Sequence, residues 1–254
     1  MVARDEWVVV VGASGAFGTA IVDRLVGRGL QVAAVGRHLE SIGALVERHG
    51  EAVRPCATDI AADAATDTIR AALDDDRPVR AVVHGPGVAV AGGIATVPTS
   101  ALVDAVDIKV GGLLRLVRAV DDRLVEGSRI IAIAGHYGLE PSPYAAAAGI
   151  ANAALINVVR QLSLAYGARG VTAHTIAPGP ADTERLHRVA ADRAAMQGTT
   201  VADVLDQMRA DSSLRQLTTP AQVAWAVSTL LDPEASATTG STLMLDAGRR
   251  RGLP

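Results

Sequence analysis

Short runs of aliphatic and β-branched residues recur along the chain, separated by longer stretches whose apolar positions repeat at helical spacing. The runs fall at residues 7–11, 31–35, 53–58, 81–84, 129–134, 171–177 and 241–245. They are apolar on both faces, as strands are in a parallel sheet covered by helices on each side. The stretches between them predict helices over 16–26, 40–48, 63–74, 100–124, 149–166, 201–209 and 220–231. Strand and helix alternate without an internal repeat or a linker. That pattern builds a single α/β domain, a doubly wound parallel sheet of about seven strands with helices on both faces. One long break, 180–219, carries no strand. It follows the C-terminal end of a strand, where open α/β sheets bind ligands, and it reads as a substrate lid.

The 254 residues are 49% hydrophobic, enough for the core of one large domain. A net charge of −3 argues against a basic face for nucleic acid. The single cysteine, Cys56, reads as a small buried thiol, and no Cys/His spacing suggests a metal site. The opening MVARDEW puts charges where a signal peptide needs its apolar core, and the longest apolar runs, 7–22 and 144–159, are short and interrupted. The expectation is a cytoplasmic protein with neither a membrane nor a nucleic acid as partner.

The turn after the first strand carries chemistry. In VVVVGASGAFG, a buried strand passes through Gly12, Ser14, Gly15, Ala16, Phe17 and Gly18 into a helix. Glycines there allow a tight turn and close approach of a pyrophosphate to backbone amides at the helix N-terminus, the context of a dinucleotide fingerprint. The second strand ends in VGRH, without the acidic residue that binds a ribose 2′-hydroxyl in NAD. Arg37 stands there, and an arginine accommodates a 2′-phosphate, so NADP(H) is favoured over NAD(H). After the third strand, Asp59 and Ile60 are candidates to flank the adenine, with a cap role for Asp59 equally open.

With these residues the sequence resembles the short-chain dehydrogenase/reductase family over nearly its whole length, which implies a Rossmann fold. The family's TGxxxGxG appears as Val11 to Gly18, with Ala16 in place of the middle glycine, and its NNAG turn appears as His84-Gly85-Pro86-Gly87. Pro178-Gly179 matches the turn after the sixth strand, and by resemblance Thr183 meets the nicotinamide carboxamide or the phosphates. GSTLMLDAG, 240–248, resembles the last strand and its Asp-Gly-Gly ending.

The family's catalytic residues do not follow. It uses Ser, a Tyr and Lys in YxxxK, and an Asn; the Lys ammonium lowers the Tyr pKa and the Ser polarises the substrate carbonyl. Counting from the fifth strand, or back from Pro178, puts Gly135 at the Ser position, Ala148 at the Tyr position and Asn152 at the Lys position. Asp107 stands where the Asn would be. Lys109 is the only lysine and precedes all three tyrosines, so no register restores YxxxK. His136 and Tyr144 are the candidate replacements, His136 first because histidine titrates near neutrality. His84 reads as a cofactor or core contact, and Lys109 as a residue at a helix packing surface.

These residues imply an atypical NADP(H)-dependent oxidoreductase acting on a carbonyl, alcohol or activated alkene. The rivals are a catalytically inactive NADP(H)-binding sensor or structural subunit, and an enzyme of another class, a dehydratase, isomerase or cyclase, in the emptied pocket. From the resemblance, helices 100–124 and 149–166 form the interface of a homotetramer or homodimer, with a hetero-oligomer containing an active relative as the alternative. The terminal arginines, 249–251, read as a solvated tail.

Overall fold

The structure, a computed structural model, describes residues 6–88 and 92–252. Within them, β1 (Trp7–Val11), β2 (Gln31–Gly36), β3 (Val53–Ala57), β4 (Val79–His84), β5 (Arg129–Ile133), β6 (Thr172–Pro178) and β7 (Thr242–Leu245) form one sheet. The order is β3-β2-β1-β4-β5-β6-β7, and every ladder is parallel. The order reverses between β1 and β4, so a crevice opens at the C-terminal ends of those strands. The doubly wound domain expected from the apolar runs is the one observed.

Both sheet faces are covered, by α1 (Ala16–Gly27), α2 (Leu39–His49), α3 (Ala65–Ala72), α4 (Thr99–Val106), α5 (Gly112–Ala119), α6 (Ala146–Tyr166) and α9 (Pro220–Thr229). Trp7, Val9 and Val11 of β1 pack with Leu113, Leu116, Leu155 and Val159 on one side. Val8 and Val10 pack with Ile21, Leu25, Val223 and Val227 on the other. This alternation is why the strand reads as a continuous apolar run. Cys56 lies in the first of these cores, and burial pushes its thiol up to about 11. By length and composition, Ala146–Arg169 could cross a membrane, and here it packs Leu155, Val159 and Leu162 against the sheet.

Three expectations need correction. The helix expected over 100–124 is split: α4 ends at Val106, a π-helical turn spans Asp107–Gly111, and α5 follows. The Gly111-Gly112 pair permits this, since a Cβ on Gly111 would press on the Asp107 carboxylate and a Cβ on Gly112 on His84. The helix expected from 149 begins at Ala146. The stretch 180–219 contains α7 (Glu184–Gln197) ahead of α8 (Val201–Ala210). α7 escapes a hydrophobic reading because its buried residues are Ala190 and Ala194. Its ends are nevertheless marked, by Thr183 accepting the Leu186 amide and by Gly198 at φ 64°.

Candidate active site

The crevice begins where β1 ends. Gly12 turns the chain at φ 81°, and the Val35 carbonyl takes the amides of Gly12 and Ala13 at 3.0 and 3.2 Å. A Cβ on Gly18 would run into the Gly12 carbonyl, so only glycine lets α1 leave the turn this closely. Gly15 is the N-cap and supplies no side-chain acceptor to the first amides of α1. Ser14, Gly15 and Ala16 are exposed, while Phe17 packs back on the core. An uncapped, exposed helix N-terminus behind a glycine turn is a cradle for an anion, and these residues fit the phosphates of a dinucleotide.

Around this cradle, Gly85 donates to the Val11 carbonyl at 3.0 Å, and a Cβ on Gly12 would stand 3.0 Å from the Gly85 oxygen. The two turns touch, so neither has room for a side chain. Pro86 and Gly87 continue the second turn past β4. Arg37 is exposed just beyond β2. Asp59 is exposed and accepts the Ala61 amide at 3.0 Å, an Asx turn that occupies one carboxylate oxygen. Ile60 is buried under α5. Pro178 and Gly179 close the end of β6, with the Gly179 amide on the Leu245 carbonyl at 2.9 Å.

Two of the residues at the positions expected from the resemblance to be catalytic are neighbours. The Asn152 amide nitrogen lies 2.9 Å from where a Cβ on Gly135 would be. A serine there would meet the end of the Asn152 side chain, which would have to shift to admit it. Asn152 is 7% exposed, and its Oδ1 has no hydrogen-bond partner among the described residues, a cost in a protein interior that a hydroxyl donor would remove. Ala148 packs beside Val88, Ala105, Ala147 and Ala151. Asp107 pairs with Arg115 at 3.0 Å and not with Lys109.

His136 and Tyr144 stand in different surroundings. His136 is 5% exposed and hydrogen-bonded to the Pro178 backbone. Burial first, and the Arg249 guanidinium second, push it down to about 4, so near neutrality it holds no acidic proton. Tyr144 is 72% exposed, with Arg193 of α7 at 5.7 Å from its ring centroid. His84 is fully buried, with Nε2 at 3.0 Å from the Ile108 carbonyl.

Sequence reasoning missed Arg185. The residue is exposed, yet its guanidinium reaches across to the Val88 carbonyl and to Gly87. Only the fold brings residue 185 to residue 88, so no local pattern could have found it. The excursion that carries it closes on itself at the base: Ala181 bridges Thr218, the Asp182 amide donates to the Thr218 carbonyl at 2.8 Å, and the Thr218 amide donates to the Pro180 carbonyl at 2.9 Å. Thr183 caps α7 at this base. Two of the terminal arginines are held against the fold, Arg249 paired with Asp211 at 2.9 Å and Arg250 3.6 Å from Glu140, while Arg251 is exposed.

Residues 12–250 match the family model described as Enoyl-(Acyl carrier protein) reductase. The chain belongs to the short-chain dehydrogenase/reductase (SDR) family. Serine 3-dehydrogenase of Agrobacterium fabrum is 31% identical over 189 residues, 70% of this chain and 72% of that enzyme. An uncharacterized short-chain type dehydrogenase/reductase, y4vI, of Sinorhizobium fredii is 26% identical over 95% of this chain, which spans only 43% of that relative. The NADPH-bound structure of a short chain oxidoreductase from Pseudomonas aeruginosa PAO1, described as containing an atypical catalytic center, superposes with a TM-score of 0.86. It is 23% identical, over 98% of each chain. This SDR chain is therefore, at the level of class, an SDR-type oxidoreductase.

Proposed function

We propose that the chain is an NADP(H)-dependent oxidoreductase acting on a carbonyl, alcohol or activated alkene, with a proton donor other than the family's tyrosine. The observation that carries this reading is an intact cofactor cradle beside rebuilt catalytic positions: the Gly12–Gly18 turn and uncapped α1 on one side, Gly135, Ala148 and Asn152 on the other. Arg37, exposed beyond β2, supports the choice of NADP(H). The P. aeruginosa protein that superposes on this chain holds NADPH, which agrees with it.

In this reading a bound dinucleotide supplies the hydride. The α1 amides and Thr183 would hold its phosphates and Arg37 its 2′-phosphate, and the unpartnered Asn152 Oδ1 would accept from a ribose hydroxyl. The segment 180–219 is the lid, with Arg185 and Arg193 as its two reaches across the cleft. Two or four copies associate through α4, α5 and α6, where Val103, Ile150 and Leu164 are exposed.

One observation favours a second reading, nucleotide binding without turnover. His136 is buried and neutral, and Tyr144 is turned out to solvent, 72% exposed. The test follows reduced-nicotinamide absorbance while NADPH is offered with a panel of ketones, aldehydes and activated alkenes. Substrate-dependent loss of absorbance is the expected result. NADPH binding with no such loss supports the second reading, and conversion of a compound without change in the nicotinamide moves the chain to another reaction class.

A further inference from the structure

The cation absent from α6 is found at the same end of the sheet on a different element. Lys109, the only lysine in the chain, is 5% exposed and stands in the π turn Asp107–Gly111, a distortion found frequently at functional sites. Its Nζ donates to the Ile133 carbonyl at 2.8 Å. The sequence explains why that carbonyl is open. His84 lies opposite Ala132 in the β4–β5 ladder, and Gly85 gives its amide to Val11 of β1. Residue 86 is therefore the next whose amide would face β5 and Ile133, and residue 86 is proline. The ammonium thus sits between the C-terminal edges of β4 and β5, two residues before the serine-equivalent Gly135.

The Ile133 bond uses one of three ammonium donors, and a neutral side chain could have made it. Among the described residues no carboxylate answers the charge. Asp107 is engaged by Arg115 at 3.0 Å. His84 on β4 is neutral, pushed down to about 3 by burial and then by Lys109 itself. On α6 the family's lysine position is the uncharged Asn152. From α7, Arg185 brings a second positive charge. Burial, followed by Arg185, lowers Lys109 to about 7. An unpaired ammonium in such a place is relieved by releasing its proton or by meeting a developing negative oxygen.

We propose that Lys109 is the catalytic acid of this site, holding the substrate's carbonyl oxygen and protonating it as hydride arrives at the carbon. This rests on the oxidoreductase reading above. In the reducing direction a bound reduced nicotinamide would supply the hydride of the new C–H bond, and the carbonyl π pair moves onto oxygen. An Nζ–H bond then breaks to form O–H, its electrons staying on nitrogen. The neutral amine regains a proton from water, and the alcohol and oxidised nucleotide leave. A donor that titrates close to neutrality suits this role.

A single lysine makes the test direct, because the whole chain labelled with [ε-13C]lysine gives one Cε resonance that needs no assignment. The expected midpoint is near 7, and addition of NADPH displaces the signal. A midpoint in the ordinary lysine range, about 10.4, or a signal that bound NADPH leaves unmoved, overturns the inference alone. Absence of NADPH binding overturns the oxidoreductase reading and this inference together. Lys109→Gln keeps a neutral donor for Ile133 and so protects the fold. It is expected to retain NADPH binding while slowing reduction of a carbonyl found in the screen by about 10²–10⁴, and undiminished reduction by this variant also overturns the proposal.

Discussion

At the scale of single residues, the positions that the resemblance makes catalytic touch one another. Gly135 and Asn152 form the clearest pair, since the asparagine amide lies 2.9 Å from the missing Cβ. Gly135→Ser should therefore not restore a family-like site. It forces the end of the buried Asn152 side chain to shift and is expected to destabilise by about 1 kcal/mol. Combining it with Asn152→Ala should recover much of that loss, and a double-mutant cycle in denaturant measures the coupling. Additive effects of the two substitutions would show that the side chains do not share this space. The same kind of contact explains why the site was only partly legible in the sequence. Gly12, Gly15 and Gly18 announce their roles locally, whereas Lys109 acquires its surroundings from Ile133, Pro86 and Arg185, which are distant along the chain.

At the scale of elements, the strands were legible because both faces of the sheet are buried, which leaves each strand a continuous apolar run. α7 was hidden because alanines make its inner face, and the π turn was hidden because helical periodicity does not reveal a local widening. The excursion 181–218 has a small core of its own, Ala190, Ala194, Val204, Leu205, Met208 and Leu217, separate from the sheet. It should open without the sheet unfolding. Leu205→Ala removes part of that core at a typical cost of about 2–5 kcal/mol. Hydrogen exchange is expected to accelerate across α7 and α8 in this variant while the strands stay protected. Faster exchange in the strands as well would mean that the excursion and the sheet unfold as one unit.

At the scale of the whole molecule, buried histidines set the response to acid. Burial chiefly pushes His84 down to about 3 and His136 and His174 to about 4. In the unfolded chain they titrate near 6.5, so as pH falls below that value the unfolded state binds protons that the folded state refuses. Stability should be intact above about 6.5 and then decline by about 1.4 kcal/mol per pH unit per histidine. The decline ends near 4 for His136 and His174 and near 3 for His84. Lys109, depressed to about 7, adds stability as pH rises from there toward 10.5. Urea midpoints across this range check both slopes, and a midpoint unchanged between about pH 6.5 and 5 would contradict the histidine account.

Everything proposed about the reaction depends on which nucleotide enters the crevice between β1 and β4. The most direct measurement is a titration of the purified protein with NADPH and with NADH, followed by nicotinamide fluorescence, alongside the Arg37→Ala variant. The account predicts micromolar binding of NADPH, at least about tenfold tighter than NADH, which corresponds to about 1.4 kcal/mol, with the difference abolished when Arg37 is removed. Equal affinity for the two nucleotides, or a preference that survives Arg37→Ala, would contradict the role given to Arg37. If neither nucleotide binds, the oxidoreductase reading itself is contradicted.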